Sequence, residues 1–239
     1  MFRLFIILFI LSPFGWVSPL FAGVQVQDQV ATTGKGIMLS ARTGSTFFAK
    51  GGEIVEFFLD GRSLGKRLSG GDGYAYMEYK PDRKGLFTIK VEHGNEKAEG
   101  LLLVVGKAEE VLLVGIEGGV LESIFPERLR DGVDNALKKL ADRYRIIYIT
   151  GMPLGPLVRE RIREWGLPES VVLRWDRSVY EGLSDLGVKI KAVVGSPGLI
   201  AEVDDDSVKR YTFEESEEGK VVDSWHDLLS DPVVAAKHN

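Results

Sequence analysis

The sequence of 239 residues contains no cysteine and only three histidines. Without cysteine, the protein cannot form disulfides, carry a thiol nucleophile, build a thiolate metal site or be anchored as a lipoprotein acylated on cysteine. His93, His226 and His238 each stand alone in the sequence, which makes a histidine metal site a poor prediction. The stability of the fold must therefore come from the burial of side chains.

Long runs of like charge are also missing. The chain has 30 Lys and Arg residues against 35 Asp and Glu, which gives a formal net charge of -5. This mild acidity argues against nucleic acid as a partner, because phosphate backbones are bound by concentrated Lys and Arg. A hydrophobic content of 44% is typical of a globular protein, and the length favours two domains.

The first residues, MFRLFIILFILSPFGWVSPLFAG, have the pattern of a secretory signal peptide. Arg3 precedes an apolar run over residues 4–11, and serine, proline and glycine then break the run well short of the ~20 residues that a spanning helix needs. We predict a signal peptide over residues 1–22, cleaved after Ala22; an uncleaved anchor is the alternative. The remainder is expected to be periplasmic or extracellular, with no stable membrane span.

Residues 23–106 alternate between apolar and polar side chains and are punctuated by turn-forming pairs such as Asp60-Gly61 and Gly94-Asn95. Strands are predicted at residues 36–41, 46–50, 53–59, 74–80, 86–92 and 98–105. Short strands at this spacing predict a sandwich of two antiparallel sheets.

Part of this region resembles the bacterial immunoglobulin-like repeats of exported proteins. The resemblance lies in the Asp60-Gly61 hairpin, the DGYAY segment at 72–76 and the GLFTIKV segment at 85–91. It implies a spacer or adhesion module. The aromatic residues of the region could form a carbohydrate platform, although such residues more often fill a core or pair across strands; they are Phe47, Phe48, Phe57, Phe58, Tyr74, Tyr76 and Tyr79.

Residues 107–230 alternate between strands and helices. Strands are predicted at residues 111–114, 145–150, 171–174, 190–195 and 208–213, and helices after Pro126 and at residues 154–165, 178–186 and 224–229. This order predicts a doubly wound parallel sheet with ligands at the carboxyl ends of the strands, followed by a tail at residues 231–239.

This second region resembles the haloacid-dehalogenase-like superfamily of phosphohydrolases. The resemblance is carried by VLLVGIEGGVL at 111–121, IIYITGMP at 146–153, and Lys189 and Lys191 beside AVVGSPGLIAEVDDD at 192–206. It implies a capless α/β domain, a nucleophilic aspartate after the first strand and a magnesium site after a later one.

This sequence differs from the family pattern at the positions of the family's catalytic and metal-binding residues. Gly115 stands at the position of the nucleophile, Glu117 at that of the acid/base, and Ser196 and Ile200 at those of the magnesium ligands. Glycine cannot attack phosphorus, and magnesium needs hard anionic oxygens. The sequence therefore predicts an exported pseudoenzyme, a non-catalytic protein with a degenerate phosphatase-like domain. The immunoglobulin-like module is expected to position this domain.

A binding site could survive in such a domain. Gly118, Gly119, Thr150, Lys189 and Lys191 could hold an anionic or phosphorylated ligand, since a hydroxyl, a lysine and turn N–H groups suit an anion. The alternative is a domain retained for a surface that docks an unknown protein.

Two further functions stay open. One is a magnesium-dependent phosphohydrolase with a displaced metal site formed by Glu117 with Asp204, Asp205 and Asp206, although an acidic run is usually a solvated turn. The other is an adhesion or envelope-structural protein in which the sandwich binds. No cofactor is expected apart from magnesium in the first of these.

Overall fold

Eight strands between residues 22 and 105 form two facing sheets. A computed structural model describes residues 22–45, 49–152 and 155–235. The strands are β1 (Ala22–Val26), β2 (Gln29–Thr32), β3 (Ile37–Ser45), β4 (Ile54–Leu59), β5 (Arg62–Leu68), β6 (Tyr74–Tyr79), β7 (Gly85–His93) and β8 (Glu96–Val105). One sheet has the order β1-β3-β6 and the other β2-β8-β7-β4-β5, and together they form a two-sheet β-sandwich.

The core of this sandwich follows from the two-residue period of its strands. Along β4, Val55, Phe57 and Leu59 are buried while the residues between them are more exposed. They pack against buried residues of the three-stranded sheet such as Leu39 and Met77. Strands β1, β2 and β5 were not predicted individually; β5 is exposed and cationic. The predicted signal peptide, except Ala22, and part of the strand predicted at 46–50 lie outside the described residues.

The second half of the chain forms a parallel sheet covered by helices. The strands of this half are β9 (Glu110–Gly115), β10 (Leu121–Ser123), β11 (Arg128–Leu129), β12 (Arg145–Thr150), β13 (Val172–Arg174), β14 (Lys189–Val194), β15 (Lys209–Thr212) and β16 (Lys220–Val221). Strands β10 and β11 pair with each other as a separate hairpin. The helices of this half are α1 (Val133–Ala141), α2 (Gly155–Glu164), α3 (Arg177–Asp185), α4 (Pro197–Ile200), α5 (Trp225–Ser230) and α6 (Pro232–Ala235). The six strands of the sheet are parallel and have the order β13-β12-β9-β14-β15-β16.

The helix predicted after Pro126 begins later than expected. Residues 121–129 form the β10–β11 hairpin, in which Leu129 pairs with Leu121, and α1 starts only after Gly132. The apolar stripe that suggested the helix is correct from Val133 onward, but Leu129 belongs to the hairpin. In addition, α6 lies in the predicted tail, where Val234 is buried and its carbonyl accepts a hydrogen bond of 2.9 Å from the Tyr144 hydroxyl.

The sandwich and the parallel sheet share one hydrophobic core. Along β9, Leu112 and Val114 face α1, α2 and α5, whereas Val111 and Leu113 face the opposite side. That opposite side is covered by α3, α4 and a strip of the sandwich. The strip consists of Val30, Leu101, Leu103 and Val105.

Polar contacts reinforce this junction. Asp28, between β1 and β2, accepts hydrogen bonds from the N–H groups of Leu101 (2.9 Å) and Val172 (2.8 Å) and pairs with Arg159 of α2. Burial raises the pKa of Asp28, although Arg159 and the two N–H groups act in the opposite direction. The Thr32 hydroxyl donates to the carbonyl of Leu186 at 2.7 Å. The sandwich is therefore held to the parallel sheet by apolar packing and by buried hydrogen bonds.

The helices within the described ranges are all too short or too polar to cross a lipid bilayer.

Candidate functional site

Three strands of the parallel sheet end close together and bring several predicted site residues to one place. The Thr150 hydroxyl, at the end of β12, donates a 2.8 Å hydrogen bond to Glu117 Oε1 and accepts one of 3.1 Å from the N–H of Met152. The N–H of Ser196, just after β14, donates to the carbonyl of Glu117 at 3.0 Å. We call Gly115, Glu117, Gly118, Gly119, Thr150 and Ser196 the strand-end cluster.

Glycine is required in this cluster because the chain passes very close to itself. A Cβ on Gly115 would lie 2.8 Å from Leu199 Cδ1 and 3.1 Å from the Cα of Gly195. A Cβ on Gly118 would lie 2.5 Å from the nitrogen of Ser196, and one on Gly119 would lie 2.4 Å from the oxygen of Gly115. A side chain at the position predicted to correspond to a nucleophile would therefore require Leu199 and the neighbouring backbone to shift.

The N–H groups of the turn are largely occupied by the turn itself. The N–H of Gly118 donates to Leu121 O at 3.1 Å, and that of Val120 donates to Gly115 O at 2.9 Å. Arg130 Nε and Trp225 Nε1 donate to the carbonyls of Gly118 and Gly119 at 3.2 and 3.1 Å. The remaining oxygen of the Glu117 carboxylate, Oε2, is buried and has no hydrogen-bond partner among the described residues. A carboxylate here opposes the approach of an anion.

The two predicted lysines lie at the other end of the sheet. Lys189 is paired in register with Glu110 at the start of β9, and Lys191 Nζ lies 3.5 Å from Glu110 Oε1. Five residues of extended strand, about 16 Å, separate this level from Gly115. The five residues predicted to bind an anion are therefore not assembled into one site.

The acidic run is also distant from Glu117, because it precedes β15 whereas Glu117 follows β9. Asp204 lies 3.7 Å from Arg177, and Asp205 accepts hydrogen bonds from the hydroxyls of Tyr180 (2.9 Å) and Ser207 (2.6 Å). The Ser207 hydrogen bonds hold the pKa of Asp205 below its usual value. Ile200, at a predicted metal-ligand position, is buried in the core.

These placements do not fit magnesium. In residues 22–45, 49–152 and 155–235, no three His, Asp or Glu side chains come together in a way that could hold a metal ion. Glycine, serine and isoleucine at positions 115, 196 and 200 do not supply the anionic oxygens that magnesium prefers.

The aromatic residues of the sandwich separate into a core set and an exposed set. Phe57 is fully buried, Tyr79 packs against the core, and Phe58 lies 5.6 Å from Lys90 Nζ on the outside of the five-stranded sheet. Phe47 and Phe48 lie outside the described residues. Tyr74 and Tyr76 point outward from the three-stranded sheet, with ring centroids 6.1 Å apart and planes inclined by 16°.

Tyr76, which is exposed, and Tyr74, which is partly buried, belong to a larger surface that the sequence did not reveal. The cross-strand register places Gln25, Arg42 and Tyr74 in one row, Ser40 beside Tyr76, and Met38 beside Glu78. We call this surface the aromatic face; it consists of Gln25, Met38, Ser40, Arg42, Tyr74, Tyr76 and Glu78. Alternation within the predicted strands could have identified its members, but only the register shows that they are neighbours.

Comparisons with known proteins concern the fold of about a third of the chain. No protein-family model matches the chain, and no curated protein matches it. Among solved structures, the CARDB domain of a Pyrococcus furiosus protein is similar at 15% identity and a TM-score of 0.27, covering 35% of this chain and 93% of that domain. The D0-D1 domain of intimin is similar at 13% identity and a TM-score of 0.30, covering 39% and 57%. Domains 4 and 5 of the S-layer protein SbsC are similar at 12% identity and a TM-score of 0.26, covering 36% and 53%.

The predicted membership of the haloacid-dehalogenase-like superfamily, and the fold class named after it, are wrong. The structures that resemble the chain are immunoglobulin-like, fibronectin-like and CARDB-type all-β domains, and none of those reported is haloacid-dehalogenase-like. The order of strands and helices that suggested the family is shared by doubly wound sheets in general. The interpretation as a degenerate phosphatase, a pseudoenzyme, and its magnesium-dependent alternative are withdrawn with it.

Proposed function

We propose that the protein is exported and acts by binding, as an adhesion or envelope-structural protein whose sandwich provides the binding surface. The N-terminal sequence pattern supports export. The observation that carries the proposal is the composition of the aromatic face. In protein–protein interfaces, tyrosine, methionine and arginine are enriched near the centre, whereas lysine and carboxylates are depleted there. Tyrosine and arginine also contact other ligands through their flat faces. The face has two tyrosines, a methionine and an arginine, and only one carboxylate.

The opposite outer face of the sandwich has a different character. Its charged side chains neutralise one another, with Glu92 lying 2.8 Å from Lys90 and 3.2 Å from Lys97. Glu56 likewise lies 3.5 Å from Lys66. Such a mixed, paired surface is typical of a solvated sheet. Ile54 and Leu68 are exposed at one end of this opposite face, so the contrast between the two faces lies in their charges. Arg42 is in no ion pair within the described ranges, and this difference supports the aromatic face as the one that binds.

The parallel sheet fits the role of a support in this proposal. Its strand-end cluster is closed by contacts between its own residues, and its side facing the sandwich is joined to Leu101 and Leu103. In this proposal, the parallel sheet holds the aromatic face of the sandwich in a fixed orientation.

The test is a sedimentation assay with the full chain recovered from the exported fraction and isolated cell envelopes. We expect the protein to sediment with the envelopes, and we expect Tyr76→Ala to reduce the bound fraction severalfold because Tyr76 is 47% exposed on the aromatic face. Phe58→Ala, which removes an outward aromatic ring from the opposite face, is the matched control and should bind as the unmodified protein does.

Retention of the protein in the cytoplasm would contradict the proposal. Equal binding by the Tyr76→Ala and unmodified proteins would contradict it as well.

A further inference from the structure

We propose that the aromatic face binds an acidic oligosaccharide, a glycan whose sugar rings carry carboxylates; this inference rests on the proposed binding role of the sandwich. The face is open to solvent, with Tyr76 47% and Met38 49% exposed. It lies on the three-stranded sheet, whereas the strip that packs on the parallel sheet belongs mostly to β8 and β2 of the five-stranded sheet.

The size of the aromatic face favours a narrow ligand. Three strands spaced by about 4.8 Å, with about six paired residues each, give a surface of about 300 Å². A stable interface between two proteins needs about 800 Å² from each partner. A second copy of this chain is therefore a poor occupant, whereas a single chain of sugars covers a surface of this width.

The rings of Tyr74 and Tyr76 are stacked, and Tyr76, which is 47% exposed, can contact the flat face of a sugar. Their planes are inclined by only 16° and their centroids lie 6.1 Å apart. A pyranose ring exposes C–H groups on its flat face, and these pack on aromatic rings through dispersion and the negative potential of the ring face. Ser40 lies beside Tyr76 and supplies a hydroxyl for the sugar.

Arg42 determines the charge of the proposed ligand. Its guanidinium carbon lies 6.0 Å from the centroid of the Tyr74 ring, and no ion pair within the described ranges includes it. A guanidinium beside an aromatic ring binds a carboxylate with two parallel hydrogen bonds while the ring contacts the rest of the ligand. A glycan carboxylate would therefore pair with Arg42 at the Tyr74 end of the face, four residues along the strand (about 13 Å) from Glu78, which lies beside Met38.

An extended peptide fits less well. Peptides that add to a sheet bind along an unpaired strand edge through the backbone, or they enter a groove. A peptide added along the edge of β6 would contact neither the outward rings of Tyr74 and Tyr76 nor the guanidinium of Arg42.

The experiment is isothermal titration calorimetry of the intact chain with a short oligogalacturonate and with its methyl ester. The ester keeps the sugar rings and removes the negative charges. We expect the acid to bind about tenfold more tightly than the ester. We expect Arg42→Gln to abolish this difference, Arg42→Lys to restore part of it, and Tyr76→Ala to weaken both ligands. Phe58→Ala on the opposite face is the control and should leave both affinities unchanged.

Equal affinities for the acid and the ester, or equal losses in Tyr76→Ala and Phe58→Ala, would overturn the inference. If the chain sediments with envelopes through Tyr76 but binds no oligogalacturonate, the ligand class is wrong and the binding role stands. If a peptide competes for the face and the acidic glycan does not bind, the inference is likewise wrong. If Tyr76→Ala leaves envelope binding intact, the proposed function itself fails.

Discussion

At the residue scale, the turn after β9 depends on Gly118, which combines two separate requirements for glycine. Its φ is +76°, a left-handed value that costs other residues about 1–2 kcal/mol. Its Cα also lies against the backbone of Ser196, where a Cβ would come within 2.5 Å of the nitrogen. Gly132 shares the first requirement, with a φ of +71°, but has open space around it.

We predict that Gly118→Ala lowers the free energy of unfolding by at least about 3 kcal/mol, because the new methyl group would displace the Ser196 backbone. Gly132→Ala, the matched control, should cost only about 1 kcal/mol through its backbone conformation. Urea denaturation of both variants measures the difference. Equal losses would show that the close contact with Ser196 does not contribute.

The strand-end cluster also shows what the residues alone could predict. The sequence places Gly115, Thr150 and Ser196 after three strands, and the rule for parallel sheets correctly brings them to one edge. Lys189 and Lys191 were predicted from the resemblance to join the same anion site, but they lie at the start of β14, at the opposite end of the sheet. The close packing around Gly115 involves Leu199, which lies 84 residues further along the chain. A pattern within one segment of sequence does not report such a contact.

At the scale of elements, α3 begins with a side-chain cap. Asp176 Oδ1 accepts a hydrogen bond of 3.1 Å from the N–H of Val179 and another of 2.5 Å from the Ser178 hydroxyl. The Ser178 hydroxyl first, and then the Val179 N–H, hold the pKa of Asp176 below its usual value. Because the folded pKa is depressed, the contribution of the carboxylate is present above the unfolded pKa and is lost as the pH falls through the folded pKa.

We predict that Asp176→Ala lowers the free energy of unfolding at neutral pH by about 1 kcal/mol. Asp176→Asn should retain most of the cap, because an amide oxygen accepts the same hydrogen bonds without titrating. Urea denaturation from neutral pH to pH 3 should therefore show the difference between the Asp and Ala proteins shrinking, while that between Asn and Ala stays constant. A constant difference between Asp and Ala would contradict the assigned role of the carboxylate.

Strands and helices with a clear hydrophobic periodicity could be predicted from the sequence. Elements that depend on pairing between distant segments could not. Strands β7 and β9 are buried with clear patterns, and the predictions at 86–92 and 111–114 lie within them. The β10–β11 hairpin was mistaken for the first turn of a helix, because Leu129 falls on the apolar stripe that continues into α1. Its pairing with Leu121 is a contact between separate segments, and periodicity within one segment does not report it.

At the scale of the whole molecule, Glu109 connects the two halves. Its Oε1 accepts hydrogen bonds from Lys84 of the sandwich (2.9 Å) and from Arg145 Nη2 of β12 (2.8 Å), and its Oε2 accepts one from the N–H of Gly106 (2.8 Å). Burial by itself raises the pKa of Glu109, but these donors outweigh it and lower the pKa to about 2.

Because the folded pKa of Glu109 lies below its ordinary value of 4.5, its stabilisation is complete above pH 4.5 and disappears between pH 4.5 and about 2. We predict that Glu109→Gln costs about 1–2 kcal/mol at pH 7, allowing for solvent screening of a side chain that is 20% exposed, and almost nothing near pH 2. Glu127→Gln, which breaks the exposed pair with Arg161 within one half, should change stability little at any pH. Urea denaturation across this pH range tests both variants, and a pH-independent cost for Glu109→Gln would contradict the assignment.

The shared core has a consequence for the order in which the chain is made. The strip of Leu101, Leu103 and Val105 is complete when β8 has emerged, but part of the surface that covers it includes β14, whose last residue is Val194. A chain that emerges N-terminus first can complete the sandwich before the segment that covers this strip has arrived. Until then, Leu101 and Leu103 are exposed to water. A holdase chaperone should therefore bind newly made chains in preference to the folded protein. A chain truncated before Val194 should aggregate instead of forming a smaller folded protein.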